Sequence, residues 1–118
     1  MSLRKYQATQ LATEAPRQTE YRLFGEVTRD LVVAHDAGNK GRGSADWNQA
    51  ILRNRRMWLL LQGDLMTDGN RLPDELRAKL ISVAIWVDKH SRKVIKGEAD
   101  LSPLIEVNRN IMGGLRAG

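Results

Sequence analysis

The residues best suited to chemistry in this chain are two Asn-Arg pairs, Asn54-Arg55 and Asn108-Arg109. Each lies in an apolar stripe. One stripe is Trp47, Ile51, Asn54, Trp58, Leu61, Leu65; the other is Leu101, Leu104, Asn108, Ile111, Leu115. Steps of three and four residues put every member of a stripe on one helix face. An asparagine amide on such a face competes with the backbone for hydrogen bonds and needs a partner once buried. The chemistry on offer is directional hydrogen bonding, either to a backbone group freed by a neighbouring helix or from one Asn to the other. Either Asn would then act as a fastener that sets helix register. The forked guanidinium of Arg55 or Arg109 suits a two-pronged contact with a carboxylate. Glu20, one turn before Phe24 on the first helix, is a candidate partner, with solvent exposure as the alternative.

Other constellations offer less. Gly38 and Gly43 have the spacing of a phosphate-binding loop and Ser44 follows, but the Lys before the hydroxyl is missing. The segment also follows a helix rather than a strand, so a flexible basic linker is the better reading. His35 and His90 are the only histidines and there is no Cys, which leaves no metal-ligand set. His90 falls on a helical stripe and reads as a core or boundary residue. No Ser sits in a strained elbow, and the acidic residues read as caps and exposed faces. No enzymatic activity and no cofactor are expected. Arg53, Arg55 and Arg56 step around a helix by about 100° each, so only Arg53 and Arg56 share a face. They lack the interleaved aromatics that would stack bases, since Trp47 and Trp58 lie on the Asn54 face. A solvated face with one internally paired Arg is the preferred reading.

The elements that carry these residues are helical throughout. Leu3, Tyr6 and Leu11 allow one or two loose turns at the start. Pro16 opens the first helix, with stripe Phe24, Val27, Leu31, Ala34, ending near Ala37-Gly38. Ser44 caps the second helix, which runs to about Met66. Pro73, followed by Asp74 and Glu75, opens the third, with stripe Leu76, Leu80, Val83, Val87, His90, Val94, and Gly97 stops it. Ser102-Pro103 opens the fourth, which Gly113-Gly114 should weaken. The expected fold is all-α, a compact bundle of about four helices with a short extra N-terminal piece. It forms a single domain over 1–118, loosely ordered at 1–13 and 113–118.

The chain has 118 residues and a net charge of +5, with 14 acidic residues interspersed among the basic ones. That length can bury a core without disulfides or metal. A mixed surface is weaker evidence for nucleic acid than a segregated basic tail. The longest apolar run, Met57 to Leu61, is far short of the ~20 residues needed to span a bilayer. A cytoplasmic protein with no membrane partner is expected.

The order of motifs along the chain resembles a known family. It comprises Tyr6-Gln7, Pro16-Arg17-Gln18-Thr19-Glu20, Leu52-Arg53-Asn54-Arg55-Arg56-Met57-Trp58, Leu72-Pro73-Asp74-Glu75-Leu76-Arg77 and Val107-Asn108-Arg109-Asn110-Ile111-Met112-Gly113-Gly114-Leu115. This set is similar to the alphaproteobacterial FlaF family of flagellar biosynthesis regulators over nearly the whole chain. Pro16, Arg17, Glu20, Trp47, Asn54, Arg55, Trp58, Asn108, Arg109 and Asn110 are the positions taken as family-motif or structural residues. The resemblance implies a small helical protein that promotes flagellin synthesis and filament assembly, binds flagellin in chaperone fashion, and acts with and against the FlbT regulator. It brings no catalytic residue and no cofactor. The Gly38–Gly43 segment is richer in Gly and basic residues than the family leads one to expect.

Three readings of function follow. In the first, apolar residues that the stripes leave over, Leu52, Met57, Leu59, Leu60, Ile85 and Trp86, dock flagellin or FlbT as a helix in a groove. Burial on several sides of a central helix is the plainer explanation of the same residues. In the second, Lys40, Arg42, Arg53 and Arg56 bind flagellin message, with an affinity that falls steeply with salt. The third is a bundle that only forms homo-oligomers.

Overall fold

The computed structural model describes residues 16–117, and side chains for 22–38 and 40–114. The expected N-terminal turns at 1–13 lie outside the described residues, as do the side chains of Pro16, Arg17 and Glu20. The described chain is helical: α1 Pro16–Asp36, α2 Gly38–Gly41, α3 Ala45–Leu65, α4 Asp74–Ile95 and α5 Ser102–Ala117. The all-α bundle expected from periodicity is what forms, with four long helices and one short turn among the described residues.

Helix α3 is central. It packs against α1 on one side and α4 on the other, and α5 lies mainly against α1 and touches α4 lightly. Each of the four long helices supplies a narrow stripe to one core. Phe24, Leu31 and Ala34 come from α1, Trp47, Ile51 and Trp58 from α3, Ala84, Val87 and Val94 from α4, and Leu101, Leu104 and Ile105 from α5. Burial of a large apolar side chain stabilises the fold by about 1.5–3 kcal/mol. No helix among the described residues is long and apolar enough to cross a membrane.

The local signals explain most boundaries. Ser44 accepts a hydrogen bond from the Trp47 backbone N–H at 3.1 Å, which caps α3. Pro73 immediately precedes α4, and Asp74 and Glu75 fill its first turn.

Two expectations need correction, at Gly38–Gly43 and at the start of α5. The Gly38–Gly43 segment is not a loose linker, since Gly38–Gly41 forms a helical turn between Gly38 at φ 62° and Gly43 at φ 81°. Side chains rarely adopt those angles. A Cβ on Gly41 would also lie 2.5 Å from the Ala37 Cβ, so the glycines serve a tight chain reversal. Helix α5 continues through Gly113 and Gly114 to Ala117. Finally, Asp100, not Ser102, accepts at the start of α5: Leu101 N–H donates to it at 2.8 Å and the Ser102 hydroxyl at 2.6 Å.

Candidate functional site

The two asparagines meet. Asn108 Nδ2 donates to Asn54 Oδ1 at 2.7 Å and to Thr28 Oγ1 at 3.1 Å. Asn108 Oδ1 in turn accepts from Trp58 Nε1 at 2.9 Å. The Thr28 hydroxyl donates onward to Met112 Sδ at 3.7 Å. Asn54, Asn108 and Trp58 are 1 % exposed or less. Phe24 closes the knot edge-on against Trp58, with ring centroids 5.6 Å apart. Helices α1, α3 and α5 are thus tied by directional bonds at a single level of the core. Asn54 Nδ2 has no hydrogen-bond partner among the described residues, nor has the buried Ser91 Oγ on α4. The knot is an internal fastener rather than a surface for a ligand, as the stripes implied. Thr28 was missed, although the same signal was present: a hydroxyl on the Phe24–Val27–Leu31 face.

The arginines divide. Arg55 pairs with Asp88 of α4, which also takes Arg92 at 2.8 Å. The partner that Arg55 takes is thus an α4 carboxylate that local spacing could not identify, while the Glu20 side chain lies outside the described residues. Arg109 is exposed and has no ion pair among the described residues. Arg53 is held by Asp30 of α1 at 2.6 Å, while Arg56 is exposed and has no ion pair there. Lys40 and Arg42 are exposed around α2. Of the four cations proposed for RNA, only Arg53 and Arg56 line the same groove.

The leftover apolar residues are mostly at the surface. Leu52, Leu59, Leu60, Ile85 and Trp86 are exposed and Met57 is half-buried. Met57 and Leu60 line a groove of about 580 Å³ between α1 and α3. Leu52 and Leu59, three residues before and four after Arg55, share the face of α3 on which Arg55 reaches Asp88 of α4. Trp86 stacks on His90 at 4.7 Å, and His90 Nε2 bonds to the Asp100 backbone carbonyl at 2.7 Å, toward the start of α5. His90 is thus a satisfied boundary residue, and Ala84 and Ser91 take the core positions near it.

A second groove, of about 400 Å³, opens where the ends of α3 and α5 meet the start of α4. Leu61, Leu65, Leu72, Leu76, Leu80 and Ile111 line it, with Asp64, Asn70 and Asn110 among its polar residues. Periodicity put Leu76 in the core, yet it is 43 % exposed. Helical spacing identifies a face but not how far the neighbouring helix covers it. Within the second Asn-Arg motif, Asn108 faces the knot while Asn110 and Ile111 face this groove.

Among the described residues no group of three or more His, Cys, Asp or Glu residues could hold a metal. The arrangement defines a small all-helical domain with a polar core fastener and apolar grooves on its surface. The chain belongs to the FlaF family, whose model, described as Flagellar protein FlaF, matches residues 2–115. This makes it a flagellar protein. No curated protein matches the chain, and no solved structure does.

Proposed function

We propose that the chain is a non-enzymatic flagellar regulator that promotes flagellin synthesis and filament assembly in the cytoplasm. It does so by binding an amphipathic helical segment of flagellin, chaperone-like, and acts with the FlbT regulator. The observation that carries this reading is the groove between Leu61, Leu72, Leu76 and Ile111, apolar in its floor and polar at Asn70 and Asn110. Such a floor with a few polar groups fits the helix-in-groove mode, in which spaced apolar anchors enter and the rim orients them. Family membership supplies the flagellar setting.

Titration of the full chain with purified flagellin, and separately with FlbT, tests the proposal. Binding by the wild type, weakened by roughly tenfold or more in Leu76→Asp, is the expected result. No complex with either protein sinks the reading. Association instead with message leader RNA, steeply weakened by salt, transfers it to Lys40, Arg42, Arg53 and Arg56.

A further inference from the structure

The groove between α1 and α3 has a charge arrangement of its own. Arg56, Leu60 and Asp64 follow at steps of four along α3, and all three line the groove. Steps of four keep residues on one side of a helix, and eight residues span ~12 Å. Leu60 is 68 % exposed, the highest among the exposed large apolar residues. A cation therefore stands one turn before it and an anion one turn after. Neither is neutralised by an ion pair among the described residues. Asp64 accepts only the Asn70 amide through its side chain, at 3.1 Å, whereas neighbouring Arg53 is engaged by Asp30. Leu23 and Met57 supply apolar flanks.

We infer that this face docks a second copy of the same chain. A two-fold axis through Leu60 sets the two α3 helices antiparallel, with Leu60 against Leu60. It places Arg56 of each copy opposite Asp64 of the other. An isologous interface requires a patch that is its own complement. Opposite charges equally spaced about a central apolar residue meet that requirement with no further adjustment. An unrelated partner would have to present both charges independently at the same ~12 Å spacing. The apolar contact supplies the attraction, and the charge pairs fix the antiparallel direction, because the parallel arrangement sets like charges opposite one another. The contact shares Phe24, Leu61 and Asp64 with the groove proposed for flagellin but not Leu72 or Leu76, so Leu76→Asp and Arg56→Asp tell failure of one proposal from failure of the other.

Sedimentation equilibrium of the full chain over a range of concentrations tests this inference with the wild type, Arg56→Asp, Asp64→Arg and the double exchange. Both positions are exposed, and circular dichroism verifies the fold of each variant. The wild type is expected to show a monomer–dimer equilibrium. Each single exchange sets two like-charge pairs across the axis and is expected to raise the dissociation constant roughly tenfold or more. The double exchange restores opposite pairing and is expected to return within roughly threefold of wild type. A wild type that stays monomeric at all concentrations overturns the inference. So do single exchanges that leave the equilibrium unchanged, or a double exchange that fails to restore it. Leu76→Asp is expected to dimerise like the wild type, which separates loss of self-association from loss of flagellin binding.

Discussion

The knot around Asn108 and the groove around Leu76 are opposites. The knot puts polar groups where a bundle normally buries apolar ones, and the groove leaves leucines where it normally shows polar ones. In the knot, Trp58, Asn54 and Thr28 each meet Asn108 at hydrogen-bond distance, so three helices are held in one relation. In the groove, Leu72 and Leu76 are 39 % and 43 % exposed. The difference separates two duties that one family motif combines. Asn108 fixes how α5 sits on α1 and α3, and that placement leaves Ile111, three residues on, at the groove. Internal specificity and surface attraction therefore depend on adjacent turns of the same helix.

The largest expected effect breaks the knot at its hub. Asn108→Leu keeps the branched shape, though with bulkier methyl groups, but removes the acceptor for Trp58 Nε1 and the donor for Asn54 Oδ1 and Thr28 Oγ1. A buried polar group left unpaired costs about 1–3 kcal/mol, so a loss of about 3 kcal/mol or more in urea unfolding is expected. That is a large part of the 5–15 kcal/mol typical of a domain. Asn54→Leu should cost less, about 1 kcal/mol. Asn54 makes one bond in the knot, its Nδ2 is already unpartnered, and Asn108 keeps Thr28. Equal losses for the two variants would contradict the hub role of Asn108. If the amide NMR spectrum of Asn54→Leu still shows one packing arrangement, Asn54 is not what specifies register.

Asp100 lies between the two extremes, since it is polar, at the surface, and well partnered. The Ser102 hydroxyl bond holds its carboxyl below the usual aspartate range, burial opposes this, and the Leu101 N–H adds to the lowering. A lowered folded-state pKa contributes stability that is fully present above the ordinary aspartate value. That stability is lost as pH falls through the lowered value. Asp100→Ala should therefore cost roughly 0.5–1 kcal/mol at neutral pH, the low end for a helix-start carboxylate because solvent screens it. The gap from wild type should narrow below about pH 4. A difference constant from neutral to strongly acidic pH would remove the carboxylate from the account.

Much of this was legible in the sequence, and the rest was not, for physical reasons. An Asn on an apolar helical face must find a partner wherever the helix goes, so Asn54 and Asn108 stood out from local spacing alone. Ser44 and Pro73 likewise marked helix starts, because caps act within one turn. The partner of Arg55 was not legible, since Asp88 lies on another helix and its register depends on the packing of α3 against α4. The helical turn at Gly38–Gly41 was hidden because glycine signals flexibility and tight geometry with the same letter. The groove was hidden because concavity depends on where helices stop relative to one another.

The smallest expected effect sharpens the comparison from the groove side. Leu76→Asp removes a partly buried leucine, and scaling the 1.5–3 kcal/mol of full burial by its 43 % exposure gives a loss of about 1 kcal/mol. The position also lies in the first turn of α4, where a negative charge is favoured by about 0.3–1 kcal/mol. Asp74 and Glu75 beside it reduce that gain by repulsion. The terms nearly offset, so the unfolding free energy should fall by about 0.5 kcal/mol or less, while Asn108→Leu loses several times more. A leucine whose replacement by a charge scarcely affects the fold is not there for the fold. If Leu76→Asp instead destabilises the chain as much as Asn108→Leu does, the groove is part of the core. The contrast between an interior that fastens and a surface that recruits would then collapse.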